Sequence, residues 1–222
     1  MKELTICGIR CLLKEPAGYT EGARDPLLIF LHGAGTRGDD ISVLQNSPFC
    51  QTIQEHTNLP FLVLMPLCQQ NTWYDVWQDL KEFVQKAIVT LSVDSSRVYL
   101  MGASMGGYAT WQLAMSMPEV FAAIAPICGG GMYWNAGRLQ NVPVWAFHGA
   151  KDNVVFVEES QKMVDAVNRC GGNAKLTIYP ENGHDAWSDT YANPEVFSWL
   201  LQHRKAVPQE FTDQYNNAAL YG

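Results

Sequence analysis

Glycines bracket a serine at Gly102-Ala103-Ser104-Met105-Gly106-Gly107, between the apolar run Val98-Tyr99-Leu100-Met101 and the helix-like Tyr108-Ala109-Thr110-Trp111-Gln112-Leu113-Ala114. The G-x-S-x-G spacing, with a strand before it and a helix after it, predicts a nucleophile elbow. In such a turn a serine hydroxyl is held above a sheet in a strained backbone conformation, and glycine relieves the crowding on either side. A serine hydroxyl attacks a carbonyl only when a base takes its proton and an acid fixes that base. Two residues in loops after apolar runs qualify. Asp152 follows Val142–His148 through Gly149-Ala150-Lys151, and His184 follows Leu176–Tyr179 through Pro180-Glu181-Asn182-Gly183. The order Ser104, Asp152, His184 is the one these loops take around an elbow. Negative charge developing on the carbonyl oxygen needs two amide donors. Met105 is expected to supply one, and Ala34 in His32-Gly33-Ala34-Gly35 the other, with Gly33 and Gly35 as alternatives.

Other assignments compete at several of these positions. Asp152 is also placed to cap the helix starting near Phe156. Asp185 and Asp189 lie too close to His184 in sequence to reach the far side of its ring, and Glu158 is a further, weaker acid. His32 reads as an anchor of its loop, His148 as a packed, hydrogen-bonded histidine, and His56 and His203 as helical surface residues. Gly33, Gly35 and Gly38 also satisfy the dinucleotide fingerprint G-x-G-x-x-G. That fingerprint demands a following strand that ends in an acidic residue, whereas Phe61–Met65 runs into Pro66-Leu67-Cys68. Gly129-Gly130-Gly131 lacks the Lys-Ser/Thr ending of a phosphate loop and reads as a flexible rim. No cofactor and no metal site is expected.

The elements that must hold these loops alternate strand and helix. Leu4–Leu13 alternates like one edge strand, and Leu27–Leu31 and Phe61–Met65 are continuous apolar runs suited to buried strands. Asp39-Asp40 caps a helix that Asn46-Ser47-Pro48 interrupts, and Val76–Leu91 carries Leu80, Phe83, Val84, Ala87 and Ile88 at helical spacing. Strands are expected in Arg97–Met101, Phe121–Cys128, Val142–His148 and Leu176–Tyr179, and helices in Phe156–Cys170, punctuated by Gly171-Gly172, and Pro194–Arg204. This alternation predicts an α/β fold with a mostly parallel sheet covered on both faces. The Gly129–Asn141 segment is too short for an inserted cap domain. Residues 1–206 read as one domain and residues 207–222 as a C-terminal surface tail.

The chain has 222 residues, 47% hydrophobic and 17% charged, which suits one compact domain and excludes a mainly disordered chain. A formal net charge of -7 with no Lys/Arg cluster argues against nucleic acid or an anionic membrane as partner. The N-terminus enters a strand-like alternation directly, so no leader is expected, and the run Leu27–Leu31 is far too short for a membrane span. Cys7, Cys11, Cys50, Cys68, Cys128 and Cys170 form no metal or redox spacing and are expected free in a reducing cytoplasm.

His32-Gly33-Ala34-Gly35, the elbow, His148-Gly149 with Asp152, and Gly183-His184-Asp185-Ala186-Trp187 together resemble an α/β-hydrolase across nearly the whole chain. Within that superfamily the pattern is similar to small cap-less carboxylesterases, including phospholipase/carboxylesterase, dienelactone-hydrolase-like and feruloyl or acetylxylan esterase-like groups. The resemblance implies a sheet of seven or eight strands and acyl-enzyme chemistry on a small ester, aromatic or sugar-linked esters included. Trp73, Tyr74, Trp134 and Trp187 follow strands on the reacting side and are expected to line the substrate pocket; ordinary packing under loops is the competing assignment. Trp111, Trp145 and Trp199 lie within elements and belong to the core. A prolyl-oligopeptidase-like peptidase and a non-catalytic binding protein of the same fold are the alternative functions.

Overall fold

A computed structural model describes residues 1–20, 22–56 and 58–205. Its strands are β1 (Lys2–Ile6), β2 (Ile9–Lys14), β3 (Leu27–Leu31), β4 (Leu62–Pro66), β5 (Val98–Ala103), β6 (Ala123–Ile127), β7 (Val144–Gly149) and β8 (Ala174–Tyr179). They form one eight-stranded sheet in the order β1-β2-β4-β3-β5-β6-β7-β8. Pairing is antiparallel from β1 through β2 to β4 and parallel from there to β8. The helices are α1 (Ile41–Gln45), α2 (Pro48–Glu55), α3 (Trp77–Thr90), α4 (Met105–Ser116), α5 (Val157–Arg169), α6 (Trp187–Ala192) and α7 (Pro194–Gln202). Among the described residues no helix is long and apolar enough to cross a membrane.

The central strands are apolar throughout because both faces of the sheet are covered, and period-two alternation sorts their side chains between two cores. Leu27, Ile29 and Leu31 of β3 join Leu80 and Phe83 of α3, Leu113 of α4 and Met163 of α5 on one side. Leu28 and Phe30 join Leu44 of α1, Phe49 of α2 and Phe197 of α7 on the other. Asp40 and Ser47 cap α1 and α2 through their side-chain oxygens, and Pro48 opens α2, as the expected interruption requires.

The stretch Leu4–Leu13 departs from the single edge strand its alternation suggested. It is the hairpin of β1 and β2, with Ile6 opposite Ile9 and a two-residue turn at Cys7 (φ 48) and Gly8 (φ 79). Two positive φ values define the type I′ geometry that suits twisted strands. A turn of two residues shifts the parity of the alternation, so Ile6 shares one face with Ile9, Cys11 and Leu13 while Leu12 enters the opposite core.

Between β6 and β7 the chain makes only a short 3-10 helix at Tyr133–Leu139, and among the described residues no cap domain is inserted over the carboxyl edge of the sheet. The C-terminal tail expected at 207–222 lies outside the described residues.

Candidate active site

Ser104 joins β5 to α4 with φ 55 and ψ -117, a conformation that L-residues rarely adopt and that costs on the order of 1–3 kcal/mol. The surroundings enforce it. Ser104 N–H donates to Ile127 O at 2.9 Å, and a Cβ on Gly106 would stand 1.9 Å from Leu31 O. A Cβ on Gly107 would stand 2.3 Å from Ile127 O, and one on Gly102 2.4 Å from Gly106 O. Helix α4 is thus seated against the ends of β3 and β6 at distances only glycine permits. Ser104 does not cap its own helix through its side chain, which leaves the hydroxyl available to other partners.

The second and third groups come from the ends of β8 and β7. Ser104 Oγ lies 2.8 Å from His184 Nε2, and His184 Nδ1 lies 2.7 Å from Asp152 Oδ2. An ionised carboxylate only accepts, so the ring proton sits on Nδ1 and Nε2 is left to accept from the serine. The acid and base loops are tied directly to each other. Ala150 N–H donates to Tyr179 O and Lys151 N–H to Asn182 O, each at 2.9 Å, and a Cβ on Gly149 would stand 2.1 Å from Gly183 O. The edge of the His184 ring meets Trp187 at 5.3 Å and 84°.

The Asp152 side chain is fully buried. Burial pushes its carboxyl upward, but the hydrogen bonds from His184 and from the Val155 and Val154 amides outweigh it, and the group titrates below the usual carboxylate range. Both amide bonds go to Oδ1 at 2.9 Å. Asp152 does not cap α5, whose N-cap is Phe156. Of the alternative acids, Asp189 accepts from Asn182 Nδ2, while Asp185 and Glu158 are exposed.

Gly33 packs beside the serine: a Cβ there would lie 3.5 Å from Ser104 Cβ. His32 fixes this loop, with Nδ1–H donating to Gly33 O at 2.7 Å and Nε2 accepting Cys68 N–H at 2.9 Å. Burial pushes the His32 imidazole down to about 4, so it is neutral at pH 7. Among the described residues, neither Ala34 N–H nor Met105 N–H donates to a protein acceptor, and Met105 opens α4 where the helix dipole favours negative charge. Arg37 closes the loop through Nε to Ala34 O and Nη1 to Asn71 O, both at 2.7 Å. Beside it lies an open cavity of about 380 Å³ lined by Ala34, Arg37, Gly38, Gln69, Gln70 and Asn71.

The four aromatic residues expected in the substrate pocket separate. Tyr74 and Trp134 are 48% and 52% exposed, Tyr74 stacked on Trp77 and Trp134 edge-on to Tyr133. Trp187 is half-buried against His184. Trp73 is a correction: it is fully buried, and its Nε1 donates to His32 O at 3.0 Å, because the loop after β4 folds the indole under the Gly33 loop. Trp111 and Trp145 are core residues, and Trp199 packs half-buried against the same core as Trp145. His203 is half-buried, with Trp199 edge-on to its ring at 4.6 Å, rather than a surface residue.

Two contacts were not foreseen. His148 Nε2 lies 3.2 Å from Asp152 Oδ2, and the Cys128 Sγ, Asp152 and His184 ligand atoms lie within 4.8 Å of one another. Cys128 has φ 38, and burial pushes its thiol up to about 12. A thiol held protonated is a poor metal ligand, since the thiolate is the form that binds a metal.

A mostly parallel sheet with a strained serine after its central strand, and an Asp and a His from later strand ends, defines an α/β-hydrolase. The chain belongs to the dienelactone hydrolase family, whose pattern it matches over residues 55–216. It is similar to a crystal structure of a thermostable esterase, at TM-score 0.74 and 32% identity, covering 88% of this chain and 59% of that one. A bifunctional acetylxylan esterase/xylanase of Neocallimastix patriciarum is 29% identical over 143 residues, which is 60% of this chain and 20% of that protein. Est1E from Butyrivibrio proteoclasticus shares the fold at TM-score 0.69 and 17% identity, covering 90% of this chain and 98% of that one. The chain therefore spans about a fifth of its acetylxylan esterase/xylanase relative and under two thirds of the thermostable esterase.

Proposed function

We propose that the chain is a serine esterase that cleaves small carboxylic esters through an acyl-enzyme on Ser104. Ser104 Oγ attacks the carbonyl carbon as its proton passes to His184 Nε2, and the Asp152 carboxylate stabilises the imidazolium. Ala34 and Met105 N–H groups receive the oxyanion. The tetrahedral intermediate collapses, the alcohol leaves with the proton from His184, and water repeats the sequence to release the acid.

The observation that carries this reading is the continuous hydrogen-bonded chain from Ser104 Oγ through His184 to Asp152, at 2.8 and 2.7 Å, on a serine held at φ 55. Sugar-linked esters are the favoured class. Supporting them are the similarity to an acetylxylan esterase/xylanase and the exposed rings of Tyr74, Tyr133 and Trp134, which are suited to stacking against a flat ring. Six free cysteines support a reducing cytoplasm as its site of action.

Hydrolysis of p-nitrophenyl acetate tests the assignment. Ser104→Ala is expected to lower kcat by about 10⁴-fold or more with an unchanged melting temperature. Retained turnover in a folded Ser104→Ala protein, or preferential cleavage of a proline-peptide amide by the wild type, overturns it.

A further inference from the structure

Asp152 meets histidines on two sides. His184 Nδ1 lies 2.7 Å from Oδ2, and the ring of His148, fully buried at the end of β7, brings Nε2 to 3.2 Å from the same oxygen. His148 Nε2 also lies 2.8 Å from Val155 O. Both neighbours of that nitrogen are oxygens that only accept, so Nε2 carries a proton; it donates to Val155 O and holds that N–H edge against Asp152 Oδ2. Val155 returns the contact, since its N–H donates to Asp152 Oδ1 at 2.9 Å. One imidazole therefore spans the turn that presents the carboxylate, touching the carboxylate on one side and the turn's backbone on the other.

The far side of the ring is fixed as well. His148 Nδ1, the unprotonated nitrogen, lies 2.7 Å from Ser160 Oγ, which is also 2.8 Å from Gly129 O, so the single hydroxyl proton lies between two acceptors. Ser160 is fully buried in α5. Gly129 in turn lies against the helix that begins at the nucleophile: a Cβ on it would stand 2.6 Å from Gly107 C and 2.7 Å from Tyr108 N. A line of close contacts thus runs from Asp152 through His148, Ser160 and Gly129 to the first turn of α4.

We propose that His148, braced by Ser160, is a positioning residue that sets the orientation of the Asp152 carboxylate and, through it, of the His184 ring toward Ser104. The proposal rests on the esterase reading above and deepens it. The hydrogen bonds from Val154 and Val155 hold Oδ1, but Oδ2, the oxygen that meets His184, has no backbone donor among the described residues; His148 is its second restraint. Without it the carboxylate is free to twist about its own bond while still bonded at Oδ1, and a small misalignment of base and nucleophile is enough to slow proton transfer.

The test is the rate of Ser104 phosphonylation by a fluorophosphonate, which reads activation of the serine whatever the natural ester is. In His148→Asn the amide replaces only Nδ1; in His148→Gln the amide nitrogen reaches the place of Nε2. The expected result is a maximal labelling rate about 30-fold lower in His148→Asn, with the probe's half-saturating concentration unchanged and most of the loss recovered in His148→Gln. Ser160→Ala, which removes the brace and leaves the imidazole, is expected to lose about fivefold. Wild-type rates in folded His148→Asn and Ser160→Ala overturn the proposal, and so does equal slowing in His148→Asn and His148→Gln. Should His148→Asn fail to fold, a wild-type rate in folded Ser160→Ala overturns it. A wild-type protein that never labels strikes instead at the esterase reading.

Discussion

Acidification should loosen the fold through His32, and the size of the effect follows from its surroundings. The ring is 2% exposed, donates from Nδ1 to Gly33 O and accepts Cys68 N–H at Nε2, so the only lone pair that could take a proton is already occupied. Burial, partly opposed by the Gly33 bond and aided by the Arg37 charge, brings its titration down from 6.5 to about 4. Between these values the unfolded chain binds a proton that the folded chain does not, so unfolding is favoured as pH falls and stability is regained as pH rises. At pH 4.5 this linkage is worth about 2.5 kcal/mol relative to pH 7.5. His203, also lowered by burial, adds to the wild-type loss in the same direction. Urea unfolding at pH 4.5, 5.5, 6.5 and 7.5 measures it, since about 2.5 kcal/mol moves the midpoint by about 1 M. His32→Gln keeps an acceptor for Cys68 N–H and removes the titration; its pH slope should be shallower than that of the wild type by about that amount. An equal slope in His32→Gln and wild type would refute the reasoning, because the acid sensitivity would then lie elsewhere.

Two further outcomes separate packing from chemistry. Gly106→Ala sets a methyl 1.9 Å from Leu31 O and should yield no folded protein on size-exclusion chromatography, whereas Gly35→Ala, in the loop beside the serine, meets open space and should keep the wild-type melting temperature. Trp134→Ala should raise KM for an aryl or sugar ester by about three- to tenfold without changing stability. Trp73→Ala, which empties a fully buried site, should cost about 3–5 kcal/mol in denaturant unfolding.

The sheet was legible because its strands are buried on both faces. Runs such as Leu27–Leu31 and Phe61–Met65 have no solvent side and carry no polar residue, so their positions stand out without any help from neighbours. The elbow was legible for a different reason: close backbone approach admits only glycine, and Gly102, Gly106 and Gly107 record that approach in the sequence itself. The edge hairpin was not, since apolar residues fall on both parities of Leu4–Leu13, which masks the parity shift that the two-residue turn at Cys7-Gly8 makes, and only Gly8 marks the reversal. Short α6 escaped as well; its six residues give barely more than one helical period, and it starts directly after the loop that carries His184.

What the sequence could not sort was the set of aromatic residues around the site, and Trp73 with Tyr74 shows why. The two are adjacent after the same strand, yet Trp73 is fully buried beneath the loop that carries Ala34 and Tyr74 is half exposed above it. Strand placement is the same for both; the difference is made by tertiary partners, since the indole joins the core and donates to His32 O, 41 residues away. The same distinction applies to His148. Its place before Gly149 at a strand end suggested a packed histidine, and it is packed, but the second neighbour that gives the packing a consequence is an oxygen of Asp152. Residues whose constraint is a backbone approach are readable one at a time. Residues whose role depends on which of two oxygens they meet become readable only when the loops from β7 and β8 are seen tied together.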